Sequence, residues 1–285
     1  MVMKEKITLT GLLGENLEKS ISPFIHQCLI DYYALNYLYL TFPISSNELS
    51  IALKAIKAFK IKGMNITIPF KELSLKFMDE IDQVVAKIGA LNTIVLKDNK
   101  LYGYNTDWLG FLKPLQDKLN FSFAGKKLLI LGAGGAARAV IYAALNNHCS
   151  EISIFNRNYE RAEKMKKNFQ DLYSGGKIKI FSYSNSDLQR EIKDTDLLVN
   201  TTPLGSWYYP NINPIPNLID FPSKTIIYDL IYYPDKTPLL NKAEESGNLF
   251  LNGKPMLVYQ AVESFYLWTG IKPDQKLITK ILDKV

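Results

Sequence analysis

Apolar residues recur along this chain in two rhythms: short unbroken or alternating blocks, and longer stretches at i, i+3, i+4, i+7. The first rhythm predicts strands and the second amphipathic helices. In the first half, strands are expected at Ile7–Leu13, Tyr37–Phe42 and Met64–Ile68. The last of these alternates polar and apolar residues, which puts Asn65 and Thr67 on one face. Helices are expected from Pro23 to about Tyr33 and over Leu49–Phe59, Lys71–Phe77, Ile81–Ile88 and Trp108–Leu119. Ile94–Lys97 and Leu101–Tyr104 flank Asp98-Asn99 and read as a hairpin. Later strands are expected at Leu128–Leu131, Ile152–Phe155, Ile178–Phe181, Leu197–Asn200, Thr225–Leu230 and Leu249–Leu251. They alternate with helices around Ala137–Leu145, Tyr159–Phe169, Leu239–Glu245, Met256–Trp268 and Gln275–Leu282. Strand and helix in alternation predict an α/β fold. The polar and small stretch Asn120–Lys126 is a plausible domain junction.

The chemistry concentrates where the rhythm changes. Leu128–Leu131 is an unbroken apolar run, as suits a central parallel strand covered on both faces. Gly132-Ala133-Gly134-Gly135-Ala136-Ala137 follows at once, with Gly132, Gly134 and Ala137 at the three small-residue positions of the dinucleotide fingerprint. The helix start there offers free N–H groups and a positive dipole end to a phosphate. A lone glycine turn of this kind is a weak signal, but strand, turn, helix and second strand stand in the right order. The second strand ends Phe155-Asn156-Arg157-Asn158, with no carboxylate before Glu160 to hold a ribose 2′-hydroxyl. Arg157 and Arg161 are either ordinary surface arginines or the grip on a 2′-phosphate. The missing carboxylate favours NADP. Thr201-Thr202-Pro203 lies at the C-terminal end of a strand, where open α/β sheets bind ligands.

The first half holds three ambiguous groups. Ser22 before Pro23 is a natural helix N-cap, which leaves Ser20 unexplained; both hydroxyls can also face a polyhydroxylated ligand or a carboxylate. Lys71 opens a helix, where the dipole disfavours a cation, so it is either plain surface or held there for a reason. Asp107 is either an N-cap or a catalytic acid.

Composition narrows the class. At 285 residues, 47% hydrophobic, the chain makes one large domain or two ordinary ones. It has no apolar run long enough to span a bilayer and no signal-peptide core at its N-terminus, so a cytoplasmic location and no membrane partner are expected. Two cysteines, Cys28 and Cys149, and two histidines argue against a disulfide framework or a metal site. The net charge of +6 comes from scattered lysines, which fits solvated faces and an anionic ligand better than nucleic acid.

Taken together, the motifs resemble the shikimate dehydrogenase family over nearly the whole chain. The first half carries Ser20-x-Ser22-Pro23-x-x-His26, Asn65-x-Thr67-x-Pro69-x-Lys71, Gly89-Ala90-x-Asn92-Thr93 and Asn105-Thr106-Asp107. The second carries the glycine turn, Asn156-Arg157, Asn200-Thr201-Thr202-Pro203 and Asp229-x-x-Tyr232. Asn252-Gly253-x-x-Met256-Leu257-x-x-Gln260-Ala261 and Ser264-Phe265-x-x-Trp268-Thr269-Gly270 complete the set. The resemblance implies two domains. An N-terminal α/β substrate domain, 1–107, is rejoined by the C-terminal helices of 253–285. A Rossmann-type doubly wound NADP domain covers 108–252. It implies NADP-dependent, reversible reduction of 3-dehydroshikimate to shikimate by a monomer or homodimer. Lys71 and Asp107 would be catalytic. Ser20, Ser22, Asn65, Thr67, Lys71, Asn92, Asp107, Tyr232 and Gln260 would hold the substrate. Gly132, Ala133, Gly134, Gly135, Ala136, Asn156, Arg157, Asn158, Arg161, Thr201, Thr202, Pro203, Gly253 and Met256 would contact the cofactor. Two positions depart from the pattern. Asn158 stands where the family often has Thr, and Lys254-Pro255 precedes Met256 where backbone freedom is usual. A dual quinate/shikimate enzyme and a non-catalytic nucleotide-binding regulator are the rival readings; retention of both Lys71 and Asp107 argues against the second.

Overall fold

The computed structural model describes residues 6–170, 177–216 and 218–285. The chain divides into two compact units, Met1–Gly110 with Leu257–Val285, and Phe111–Met256.

The first unit opens with β1 (Thr8–Gly14), α1 (Ser22–Tyr32), β2 (Tyr37–Pro43), α2 (Leu49–Ala58), β3 (Gly63–Ile66) and the short α3 (Phe70–Leu73). β4 (Glu80–Ile81), α4 (Gln83–Ile88), β5 (Thr93–Lys97), β6 (Lys100–Tyr104) and the start of α5 (Asp107–Leu119) follow. Its six strands form one mixed sheet in the order β2-β1-β3-β5-β6-β4. β5 and β6 are the expected hairpin; Asp98 and Asn99 turn it with φ of 49° and 60°, as a type I′ turn requires.

The second unit continues α5 and adds β7 (Lys127–Leu131), α6 (Gly135–Asn146), β8 (Glu151–Phe155), α7 (Tyr159–Gln170) and β9 (Lys177–Phe181). Then come α8 (Asn185–Ile192), β10 (Leu197–Asn200), β11 (Ile226–Asp229), α9 (Pro238–Glu245) and β12 (Phe250–Leu251). All pairings are parallel, in the order β12-β11-β10-β7-β8-β9. This is the doubly wound Rossmann order, whose switch point falls between β7 and β10. The register sets Leu131 against both Phe155 and Asn200, and Asn200 against Asp229. The carboxyl ends of these strands are therefore level, and the loops that leave them start side by side.

The chain returns to the first unit within α10 (Lys254–Thr269) and ends with α11 (Gln275–Leu282). α10 is apolar around most of its circumference, as befits a buried helix. On one face of the first sheet, Leu12 and Tyr39 pack with Ile25 and Leu29 of α1, Phe265 and Trp268 of α10 and Ile278 of α11. On the other, Leu13, Met64 and Ile66 pack with Leu53 and Ile56 of α2 and Phe70 of α3. Asn65, between Met64 and Ile66, thus points to the α1–α10 face.

Several expectations are corrected. β3 stops at Ile66 instead of Ile68, because Phe70 N–H turns back to Thr67 O and Pro69 has no N–H to donate. Asp82 caps α4 by accepting from Val85 N–H, so the helix starts at Gln83, and Ile81 pairs with β6 instead. Ser22 is not an N-cap: α1 begins at Ser22 itself with no side-chain cap, and Ser20 Oγ accepts the Ser22 N–H at 3.3 Å. The stretch 120–126 lies inside the second unit, where buried Phe123 meets Phe111. α10 starts at Lys254, so Pro255 occupies its first turn, where proline costs no hydrogen bond.

Candidate active site

Lys71 and Asp107 come from elements far apart in the chain and meet. Lys71 Nζ lies 2.6 Å from Asp107 Oδ2, with the side chains 16% and 5% exposed. The other oxygen, Oδ1, accepts from Asn92 Nδ2 at 2.7 Å. Asn92 Oδ1 in turn accepts the Thr106 N–H at 2.8 Å and the Thr106 hydroxyl at 3.2 Å. Asn105 Oδ1 accepts the Asp107 N–H at 3.0 Å. The carboxylate at the start of α5 is thus aimed at an ammonium and an amide, and its position is set from both sides. Asn92 Nδ2 also lies 3.3 Å from Gln260 Oε1, whose own Nε2 donates to Leu257 O at 2.8 Å.

A second layer backs this group. Asn65 Nδ2 faces Ser264 Oγ at 3.0 Å and Thr93 Oγ1 at 3.2 Å, and its Oδ1 accepts from the Tyr39 hydroxyl at 2.9 Å. Ser22 bonds the Tyr39 oxygen in turn. His26 stacks on Tyr39, ring centroids 4.1 Å apart, and burial holds its imidazole down at about 3. It is therefore neutral at physiological pH and supplies no charge. Ser20 and Thr67 are half-buried in loops beside this layer's strands. The first unit thus brings together Ser22, Asn65, Lys71, Asn92, Asp107 and Gln260. Tyr232 belongs to the second unit, in the loop after β11. Tyr39, Thr93, Thr106 and Ser264 also support the site, and the last three stand in motifs that on sequence alone give them no role.

Of the residues expected to contact the cofactor, all but Gly253 and Met256 lie at or after the carboxyl ends of β7, β8 and β10. Gly132 has φ of +105°, and a Cβ there would lie 2.6 Å from Thr201 Oγ1, so only glycine fits. A Cβ on Gly134 would meet nothing within 4 Å. Its absence is not demanded by packing and leaves room for a group to approach the backbone. α6 then begins at Gly135 with no side-chain cap and no acidic residue in its first turn, which leaves its N–H groups for an anion. Ala133 and Ala137 are buried beneath, and Ala136 lies in the first turn with Gly135. Asn156 Nδ2 donates to Asn158 O at 2.7 Å, and Asn158 Oδ1 caps α7 by accepting the Arg161 N–H at 2.9 Å. Asn158 thus does the capping a threonine would do. Arg157 and Arg161 are exposed at this corner. These features fit a dinucleotide with a 2′-phosphate. Thr201 Oγ1 donates to Leu131 O at 2.7 Å, and Pro203 follows in the same turn. Gly253 has an internal reason: a Cβ would lie 2.1 Å from Leu230 O. Met256 is buried at 8% exposure. Among the described residues no group of His, Cys, Asp or Glu is arranged to hold a metal, and no helix is long and apolar enough to cross a membrane.

Comparison with known proteins agrees along the chain. Residues 12–94 match the family model "Shikimate dehydrogenase substrate binding domain", 115–204 match "Shikimate / quinate 5-dehydrogenase", and 255–282 match "Shikimate 5'-dehydrogenase C-terminal domain". A Methanococcus maripaludis protein named shikimate dehydrogenase (NADP(+)) is 36% identical over 99% of this chain and 98% of its own. A namesake from Carboxydothermus hydrogenoformans is 39% identical over 96% of each. Among solved structures, a shikimate dehydrogenase in complex with NADP+ superposes with a TM-score of 0.89 at 32% identity, covering 99% of this chain and 96% of that one. The Listeria monocytogenes shikimate 5-dehydrogenase, in complex with shikimate and NAD, gives 0.88 at 31%, covering 99% and 98%. A ligand-free 5-ketofructose reductase of Gluconobacter gives 0.82 at 29%, covering 99% of each.

Proposed function

The chain belongs to the shikimate dehydrogenase family, and we propose that it reduces 3-dehydroshikimate reversibly to shikimate with NADPH. The observation that carries this reading is the Lys71–Asp107 pair at 2.6 Å, tied to Asn92. NADPH supplies hydride to the ketone carbon. The charge that develops on the carbonyl oxygen needs a donor. Lys71, as ammonium, gives its proton to that oxygen in reduction and takes one back in oxidation. Asp107 holds the ammonium in place and accepts from a neighbouring substrate hydroxyl. Ser20, Ser22, Thr67 and Gln260 position the carboxylate and hydroxyls of the ligand; Asn65 and Asn92 shape its seat.

The substrate residues 1–107 and 253–285 form one functional domain in this reading, and 108–252, which carries Tyr232, the NADP domain. Arg157 and Arg161 grip the 2′-phosphate, and the N-terminus of α6 takes the pyrophosphate. The enzyme works in the cytoplasm as a monomer or homodimer. The test is reduction of NADP, followed by nicotinamide absorbance, with shikimate and with quinate, and again with NAD. Turnover of shikimate with NADP supports the reading. Comparable turnover of quinate makes the enzyme dual. No turnover with either acid leaves the regulator.

A further inference from the structure

Asp229 ends β11 as a carboxyl group with no solvent exposure, and the proposed reaction does not use it. A buried carboxylate is costly unless donors satisfy it. Here each hydrogen-bond contact is a donor. Asn200 Nδ2 at 2.9 Å and the Ile231 N–H at 3.1 Å point to Oδ1, and the Thr237 hydroxyl at 2.6 Å points to Oδ2. Burial still pushes the carboxyl up to about 6. The group is kept at a cost in stability.

These contacts have a direction. An amide side chain has one donor end and one acceptor end. Because Asp229 receives hydrogen bonds, Asn200 turns its Nδ2 inward, where it also lies 3.3 Å from Leu204 O. Asn200 Oδ1 is left facing the loop, and accepts the Thr202 N–H at 3.0 Å and the Thr202 hydroxyl at 2.7 Å. That hydroxyl, having donated, accepts the Leu204 N–H at 3.3 Å. The loop so fixed presses on the glycine turn, since a Cβ on Gly132 would lie 2.6 Å from Thr201 Oγ1 and 3.1 Å from Thr202 Cγ2.

We propose that Asp229 is a positioning residue of the nucleotide site: acting through Asn200, it fixes the Thr201–Leu204 loop against the Gly132 turn and so sets the affinity for the dinucleotide. This rests on the NADP-dependent reading above.

The test compares Asp229→Leu, which keeps the bulk and removes the acceptor, with Asp229→Asn, which keeps a carbonyl oxygen for Asn200 and Ile231. NADP affinity is read by titration of the protein, and KM for shikimate by steady-state rates. Asp229→Leu should weaken NADP by at least about tenfold, the loss of one bond to a charged group. KM for shikimate should stay within about twofold and Asp229→Asn should bind nearly as wild type. Unchanged NADP affinity in a folded Asp229→Leu overturns the proposal, as does an equal loss for both ligands. If Asp229→Leu does not fold, Asn200→Asp faces two carboxylates, and Asn200→Asp with Asp229→Asn restores one donor–acceptor pair. Weak NADP binding in the first and recovery in the second support the proposal; any other pattern overturns it. Wild-type protein that does not bind NADP overturns the underlying reading, which the other outcomes leave standing.

Discussion

Replacing Lys71 by methionine removes the ammonium and keeps most of the side chain's length, so charge is separated from packing. In the protein its Nζ sits 2.6 Å from Asp107 Oδ2, and the two side chains are 16% and 5% exposed. A pair this shielded is unlike the exposed ion pairs whose net worth is close to zero. Without it, the Asn92 amide at 2.7 Å remains as a side-chain donor to Asp107. A bond to a charged group contributes about 1.5–3 kcal/mol, so the variant should lose stability of that order. The catalytic loss should be larger. A general acid contributes about 10²–10⁴-fold, or about 2.7–5.5 kcal/mol of transition-state stabilisation. The proton goes to charge that appears only as hydride arrives, so the loss should fall on kcat and leave KM for shikimate nearly unchanged. Initial rates over a range of shikimate, beside a urea melt, measure both. A folded variant whose kcat stays within about tenfold of wild type, or whose loss lies wholly in KM, refutes Lys71 as the proton donor.

Arg157→Ala should weaken NADP by about 1.5–3 kcal/mol and leave NAD unchanged; titration showing equal loss for both removes the 2′-phosphate assignment. Gly253→Ala forces a methyl to within 2.1 Å of Leu230 O. It should lower unfolding stability without ligand by about 1–3 kcal/mol, whereas full stability with weakened NADP binding would give the glycine to the cofactor instead. For Asp229, whose carboxyl rises from 3.8 to about 6 on folding, the contribution to stability is full below the unfolded value and is lost as pH rises through the folded one. Urea unfolding of wild type should therefore fall by about 1 kcal/mol relative to Asp229→Asn between roughly pH 5 and pH 7; parallel curves would refute the buried titration.

The second unit was the more legible because its rules are local. An apolar run, a small-residue turn and a helical period sit within Leu128–Ala144, and the Rossmann order follows from such units in series. What escaped lacked period. α8 buries only Leu188 and Ile192, one i, i+4 pair among polar residues. Its signal was Ser184, whose side chain caps the helix by accepting the Asp187 N–H. β4 is two exposed residues long and is fixed only by pairing with β6. In β2, Tyr37–Phe42 is apolar on both faces apart from Thr41, so nothing local said that Tyr39 turns inward while Leu38 and Leu40 stay exposed. The types of Lys71 and Asp107 were readable, but the contact between them spans 36 positions and belongs to the tertiary fold. The choice between cap and catalytic group at Asp107 is a question about that contact, and no local rule answers it.

The two units solve one problem twice. In each, a carboxylate orients an asparagine, and the asparagine orients a threonine. Asp107 Oδ1 receives Asn92 Nδ2 at 2.7 Å, and Asn92 Oδ1 receives the N–H and hydroxyl of Thr106. Asp229 Oδ1 receives Asn200 Nδ2 at 2.9 Å, and Asn200 Oδ1 receives the N–H and hydroxyl of Thr202. An amide alone can flip at little cost; an acceptor-only partner on one side removes that freedom. The difference lies at the second oxygen. Asp107 Oδ2 takes the Lys71 ammonium, a proton carrier with 16% of its side chain exposed, so the relay ends in a group that can do chemistry. Asp229 Oδ2 takes the Thr237 hydroxyl, itself buried and committed to capping α9, so that relay ends in structure. The same three residue types thus differ between the units in what the far oxygen meets, an ammonium in one and a buried hydroxyl in the other. Neither set is held by one contiguous motif: Asn92 reaches Asp107 across 15 positions and Asn200 reaches Asp229 across 29, so each relay belongs to the tertiary fold.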